Sequence, residues 1–206
     1  PGATCHRVTT DSRSGVRVGD LFVGLVGPHF DGSRYASGAL RDGASVALVS
    51  TGTELDPGAG QAAVAVDHTL AALQALAAEA RQRFGGAVVA ITGSNGKTVV
   101  KEMLAAALGS SRRVAASPMS WNSQVGVALS LLQLDPAAQV ALVECGISEP
   151  GEMARLEAMV RPDVGILVHV GDAHLAGLGS RETTAREKAL LFERVDAQRR
   201  DLEDLT

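Results

Sequence analysis

Seven residues constrain this chain more than any others: Thr92-Gly93-Ser94-Asn95-Gly96-Lys97-Thr98. They follow a continuous apolar run, 87–91, and open a segment, 97–108, with apolar residues at helical spacing. A strand, a glycine-bearing turn and a helix in that order make a phosphate cradle. Glycines let the backbone turn tightly, its N–H groups point at phosphate oxygens, and the helix N-terminus adds partial positive charge. In such a loop the lysine reaches the β- and γ-phosphates and the hydroxyl holds Mg²⁺. The expected nucleotide-binding residues are therefore Gly93, Ser94, Asn95, Gly96, Lys97 and Thr98. The longer pattern G-x-x-x-x-G-K-[ST] is not met, because Ile91 stands where its first glycine would be. The loop is a shorter variant that begins at Gly93.

From residue 87 onward, short apolar runs alternate with helical segments. Strands are expected at 87–91, 113–116, 140–144 and 164–170, and helices at 97–108, 123–134, 151–160 and 181–195. That alternation predicts βαβ units and a parallel sheet covered on both faces. Upstream, strands are expected at 21–26, 45–50 and 62–66, with a short helical stretch after Asp31-Gly32. A longer helix follows Asp67, which is expected to cap it, with Leu70, Leu73, Leu76, Ala80 and Phe84 as its apolar stripe. Gly85-Gly86 stops that helix, and the domain boundary is placed there. The expected fold class is α/β: a small α/β domain over 1–85, then part of a phosphate-loop, parallel-sheet domain over 86–206.

Composition narrows the function classes. Nineteen Lys and Arg against 23 Asp and Glu leave a net charge of −4, which speaks against a nucleic-acid binder. Hydrophobic residues make up 46% of the chain, so it can build cores. With 4 Phe, 1 Tyr and 1 Trp, those cores must come from Ala, Val and Leu. No apolar run reaches the length of a membrane span, and no secretory core is evident. The two cysteines, Cys5 and Cys145, form no CxxC pair or disulfide framework, so a cytoplasmic setting is expected. Cys145 reads as a small buried hydrophobe within a strand. The first residue is Pro1 and the chain closes on a polar helical run, 196–206, so it is expected to be a piece of something longer.

Three side chains downstream could serve the phosphate loop. Glu144 ends the apolar run 140–143, on the sheet edge where ligands of open parallel sheets bind. Its carboxylate could ligate Mg²⁺, or simply end a strand in solvent. His174 follows the next strand, with Asp172 as a candidate orienting partner or a turn residue. Lys188 lies on the last helix, where spacing alone reads it as a charge on a solvated face.

Several separated motifs together resemble the Mur ligases, the ATP-dependent amino-acid and peptide ligases of bacterial cell-wall synthesis. Thr10-Asp11-Ser12-Arg13, Gly19-Asp20-Leu21-Phe22, Asp31-Gly32, Tyr35 and Asp42-Gly43-Ala44 are similar to the UDP-binding N-terminal domain of that family. Residues 92–98 resemble its short phosphate loop, which Lys101-Glu102-Met103 extends. Asn122-Ser123-Gln124-Val125-Gly126-Val127, Gly151-Glu152-Met153-Ala154-Arg155-Leu156 and Ala173-His174-Leu175 with Gly177, Gly179-Ser180 and Lys188 resemble the member that adds a dipeptide. The stretches 117–124 and 145–150 are closest in wording to versions fused to alanine racemase. Ala176, Leu178 and His169 depart from the pattern, which leaves the fine substrate geometry open.

The resemblance implies ATP and Mg²⁺ as cofactors, and UDP-N-acetylmuramoyl-tripeptide and D-alanyl-D-alanine as substrates. It implies amide formation through an acyl phosphate in peptidoglycan precursor synthesis. It assigns Lys97, Glu144, His174 and Lys188 to catalysis, and Thr98, Glu144, His174 and a carbamoylated Lys188 to metal. Asn122, Ser12 and Arg13 become candidates for contacting the UDP-sugar substrate. A monomer is expected, and relative to the family the rest of the central domain and the C-terminal domain are absent. Two alternatives stay open: the preceding ligase, which adds the third stem-peptide residue, and a non-catalytic fragment that binds nucleotide or UDP-sugar.

Overall fold

The computed structural model describes residues 3–13, 15–171 and 175–195. The chain divides into two compact units, Pro1–Leu76 and Ala77–Thr206. The division falls inside a helix rather than after it, upstream of the boundary expected at 85/86.

In the first unit, strands β1 (Arg7–Thr9) and β2 (Asp20–Val23) are followed by a two-stranded antiparallel ribbon, β3 (Val26–Gly27) with β4 (Phe30–Asp31). The apolar run expected as one strand over 21–26 is thus broken. The backbone turns around Gly24, where Leu25 N donates to Val23 O at 3.0 Å. Asp31 accepts from Ser33 N at 2.9 Å and caps a 3₁₀ turn (Gly32–Tyr35), which runs into helix α1 (Ala36–Arg41). Then come β5 (Val46–Ser50), β6 (Ala62–Val66) and helix α2 (Thr69–Arg83). The sheet order is β1-β2-β5-β6, with every pairing parallel.

The core of this unit gathers Phe22, Ala36, Ala39, Leu40, Ala44, Ala47 and Val49. The small residues let α1 lie close to the sheet, as the scarcity of aromatics requires. Asp20, itself buried, accepts from Arg7 Nε at 2.9 Å, Arg7 Nη2 at 2.5 Å and Arg17 N at 2.8 Å. On α2 the buried positions are Thr69, Leu73 and Ala77, spaced by four, while Leu76 is 39% exposed. The apolar stripe therefore runs one position away from Leu76. Asp67, expected as the cap of α2, accepts from Thr51 Oγ1 at 2.8 Å.

The second unit holds β7 (Ala87–Thr92), α3 (Lys97–Gly109), β8 (Val114–Ala116), α4 (Gln124–Leu132), β9 (Val140–Cys145), α5 (Glu152–Val160) and β10 (Val164–Leu167). Helices α6 (Leu175–Leu178) and α7 (Arg181–Ala189) follow, and a 3₁₀ turn (Leu190–Phe192) continues α7. Its sheet is parallel throughout, in the order β10-β7-β9-β8. All six residues of β9 are buried, and successive residues point to opposite faces, so the sheet is covered on both faces along β9. Phe192 packs so closely on β10 that a Cβ at Gly165 would lie 2.2 Å from its ring.

Side-chain caps set the starts of α4 and α7. Ser123 Oγ accepts from Gly126 N at 3.2 Å, and Ser180 Oγ accepts from Thr183 N at 3.1 Å. Strand β10 stops at Leu167, short of the expected 170. There the backbone leaves the ladder and bonds to the glycine loop instead. No helix among the described residues is long and apolar enough to cross a membrane.

Candidate functional site

Parallel register brings the strand ends of the second unit to one edge. Ile91 pairs with Glu144, Thr92 with Cys145, and Leu167 with Thr92. The loop 93–96 leaves β7 at this edge and enters α3 through Gly96, at φ 82°. That left-handed conformation costs a residue with a Cβ about 1–2 kcal/mol, which is why glycine stands there.

The loop is tied to the segment that leaves β10. Val168 N donates to Thr92 O at 2.9 Å and Ser94 N to His169 O at 2.7 Å. Ser94 Oγ donates to Gly171 O at 3.2 Å and accepts from Gly171 N at 2.9 Å. Ser94, expected among the phosphate-binding residues, is buried and braces the loop from behind. Asn95 and Gly96 are exposed at its tip.

Lys97 is half-buried and donates to Gly93 O at 2.7 Å. Its pKa is lowered by burial, with Glu144 opposing the shift. Thr98 Oγ1 donates to Glu144 Oε2 at 3.1 Å. Glu144 is fully buried and does not end its strand in solvent. Its other oxygen, Oε1, lies 3.0 Å from Lys101 Nζ as an ion pair, yet it has no aligned hydrogen-bond donor. The Thr98 hydroxyl and the Glu144 carboxylate, side by side at the glycine loop, are hard-oxygen donors of the kind that Mg²⁺ takes. The residues present therefore fit the ion.

Lys188 is 1% exposed, so it is not the solvated charge that spacing alone suggested. Burial lowers its pKa to about 8; the Lys97 charge adds to the shift and Cys145 opposes it. Lys188 thus belongs to the electrostatic neighbourhood of Lys97. His174 and Asp172 lie outside the described residues. Cys145 is fully buried at the end of β9 and its thiol is pushed up to about 12, chiefly by burial, which leaves it inert as a nucleophile.

Asn122 also reaches this sheet edge. Its carbonyl accepts from Gly146 N at 2.8 Å, just past β9. A Cβ at Gly146 would lie 2.8 Å from Asn122 Oδ1, so the asparagine side chain lies directly over that glycine. Ser12 and Arg13 belong to the first unit, in the turn after β1. Arg13 there folds back on Asp11, with Nε 3.0 Å from Oδ1, and is 90% exposed.

Sequence reasoning missed a role for Lys101. It is fully buried and touches Glu144, although the residues around it on the chain suggested only an extension of the loop motif. A signal existed. Lys101 sits one turn after Lys97, in line with Leu104 and Leu108, on the helix face that must pack on the sheet.

Residues 91–200 match the family model described as Mur ligase middle domain, and residues 4–81 match the one described as Mur ligase family, catalytic domain. The UDP-N-acetylmuramoyl-tripeptide–D-alanyl-D-alanine ligase of Bacillus subtilis is 36% identical over 183 residues, 89% of this chain and 40% of that protein. Its namesake from Escherichia coli is 37% identical, over 92% of this chain and 41% of that protein. The chain thus spans about two fifths of the length of these curated relatives. Among solved structures, MurF ligase from Thermotoga maritima in complex with ADP superposes with a TM-score of 0.81 at 33% identity, over 92% of this chain and 43% of that one. A MurF structure from Acinetobacter baumannii gives 0.82 at 33%, over 92% and 41%. With its middle-domain match covering more than half its length, this chain belongs to the Mur ligase family.

Proposed function

We propose that this chain is the nucleotide- and UDP-substrate-binding part of a ligase that joins D-alanyl-D-alanine to UDP-N-acetylmuramoyl-tripeptide at the expense of ATP. The observation that carries the phosphoryl-transfer reading is the Thr98 hydroxyl on the buried Glu144 carboxylate, directly behind the phosphate loop. The choice of substrates is supported by the relatives, which are ligases named for those two substrates. Residues 1–85 then take the UDP end of the substrate, with Ser12 and Arg13 as candidate contacts, and residues 86–206 take ATP. A cytoplasmic setting follows from such soluble substrates.

In the proposed reaction the tripeptide carboxylate attacks the γ-phosphorus and ADP leaves. The dipeptide amine then attacks the acyl carbon and phosphate leaves. The backbone N–H groups of residues 93–98 hold the phosphates, and Lys97 turns from Gly93 O to neutralise charge as the phosphoryl group moves. Thr98 and Glu144 would hold Mg²⁺, which supplies charge neutralisation when bound. His174 would serve a second ion. Lys188 would serve it as a carbamate: a neutral amine adds CO₂ and releases one proton, and a pKa near 8 supplies that neutral amine close to neutral pH. Asn122 lies at the same edge and is the candidate contact for the UDP-sugar peptide.

Phosphate release by the longest polypeptide that carries this chain tests the proposal. Release that requires both UDP-N-acetylmuramoyl-tripeptide and D-alanyl-D-alanine supports it. Release with a single diamino acid and the shorter precursor would instead identify the preceding ligase. A carbamate carbon signal from ¹³C-bicarbonate, lost in Lys188→Ala, tests the lysine separately.

A further inference from the structure

We propose that Lys101 is a positioning residue: one buried ammonium sets both the Glu144 carboxylate and the 117–122 segment that carries Asn122. The inference rests on reading Thr98 and Glu144 as the metal end of the nucleotide site.

Lys101 Nζ lies 3.0 Å from Glu144 Oε1. It donates to Ser117 O at 2.8 Å and to Met119 O, and it lies 3.2 Å from Glu102 Oε1. Both Lys101 and Glu144 are fully buried, whereas Glu102 is largely exposed. An ammonium has three donors and no acceptor; two carbonyls take two of them here, and two carboxylates flank the charge. A buried ammonium is costly unless it is paired and hydrogen-bonded. An apolar side chain could fill the same space. What lysine adds is a counter-charge on Oε1, which leaves Oε2 to Thr98, together with donors for two main-chain carbonyls.

Those carbonyls belong to a segment that needs fixing. Met119 adopts φ 43°, a left-handed conformation unfavourable for a residue with a Cβ. Its side chain is 72% exposed, so packing does not hold it there. The bond from Lys101 to its carbonyl does. On either side the segment is fastened to β9 and its exit. Ser117 N donates to Leu142 O at 2.9 Å, Ser117 Oγ accepts from Glu144 N at 3.4 Å, and Asn122 O accepts from Gly146 N. Lys101 closes the middle of this bridge. A displacement of Glu144 therefore reaches Asn122 through one side chain.

The test compares wild type with Lys101→Met, which keeps the length and removes the charge. Amide exchange is measured without ligand, and ADP binding is measured with and without Mg²⁺. The expected result is exchange at Trp121 and Gly146 faster by about tenfold or more, with the amides of α5 unchanged. The Mg²⁺ concentration for half-maximal ADP binding rises by about tenfold or more, while Mg²⁺-free ADP binding stays within about twofold. A merely structural lysine would not separate those two bindings. Wild-type values in either readout overturn the proposal. If Lys101→Met does not fold, the double variant Lys101→Met with Glu144→Gln leaves no unpaired buried charge. Exchange then decides alone: fast at Trp121 and Gly146 supports the proposal, and wild-type rates overturn it. If wild type itself binds no Mg²⁺-ADP, the nucleotide reading fails, and exchange in the ligand-free chain still decides whether Lys101 holds the segment.

Discussion

Lys101, Glu144 and Lys188 are all buried, and Lys101 and Glu144 form an ion pair at 3.0 Å. Glu144→Gln keeps the shape of the side chain and removes the partner of Lys101. Breaking one side of a buried ion pair costs about 3–5 kcal/mol, so urea unfolding of this variant should show a loss of that order. The Mg²⁺-dependent part of ADP binding should fall with it. In the first unit, Asp20 is buried against Arg7, whose hydrogen bond is the main cause holding its carboxyl below the usual range. A carboxylate depressed in the folded state adds stability above its unfolded pKa of about 4, and that stability disappears as pH falls through the folded value. Thermal melts should therefore show the first unit weakening below about pH 4 in wild type. Asp20→Asn should be less stable at neutral pH and flatter across the acid range.

At the scale of elements, much was legible from apolar runs and the turn residues that bound them. The strands 140–144 and 62–66, the helix after Gly96 and the turn at Asp31 all lie where their residues predicted. What was not legible came from contacts distant in sequence. Strand β10 ends early because Thr92 and Ser94 take its backbone partners. The strand expected over 21–26 breaks after Val23, where Leu25 N turns back on Val23 O and Val26 pairs instead with Asp31. Spacing alone makes Lys188 a surface charge and Lys101 an extension of the loop motif, because it does not show that either side chain is buried. Two glycines make testable claims at this scale. Gly96→Ala should cost about 1–2 kcal/mol through its left-handed φ and weaken ADP binding. Gly146→Ala would push its new methyl into Asn122, so exchange at the Gly146 amide should accelerate while α3 stays protected.

At the scale of the whole molecule, the two units have separate sheets and separate strand orders. The residues proposed to hold nucleotide all belong to the second. Calorimetry should resolve two transitions, and Mg²⁺-ADP should raise only the one that belongs to residues 77–206. At a hundredfold excess over its dissociation constant, a ligand stabilises the state it binds by about 2.7 kcal/mol, enough to separate the transitions clearly. A uniform rise of both would show that the units do not unfold independently.

The proposed function stands on residues 93–98 and Glu144 forming a working nucleotide site within this chain. Its most direct test is Mg²⁺-dependent ADP binding by calorimetric titration, wild type beside Lys97→Ala. Saturable binding with one site in wild type, lost or weakened by about two orders of magnitude in Lys97→Ala, is the result expected when a charge-assisted phosphate contact is removed. Equal binding by both proteins, or none by a folded wild-type chain, would contradict the claim.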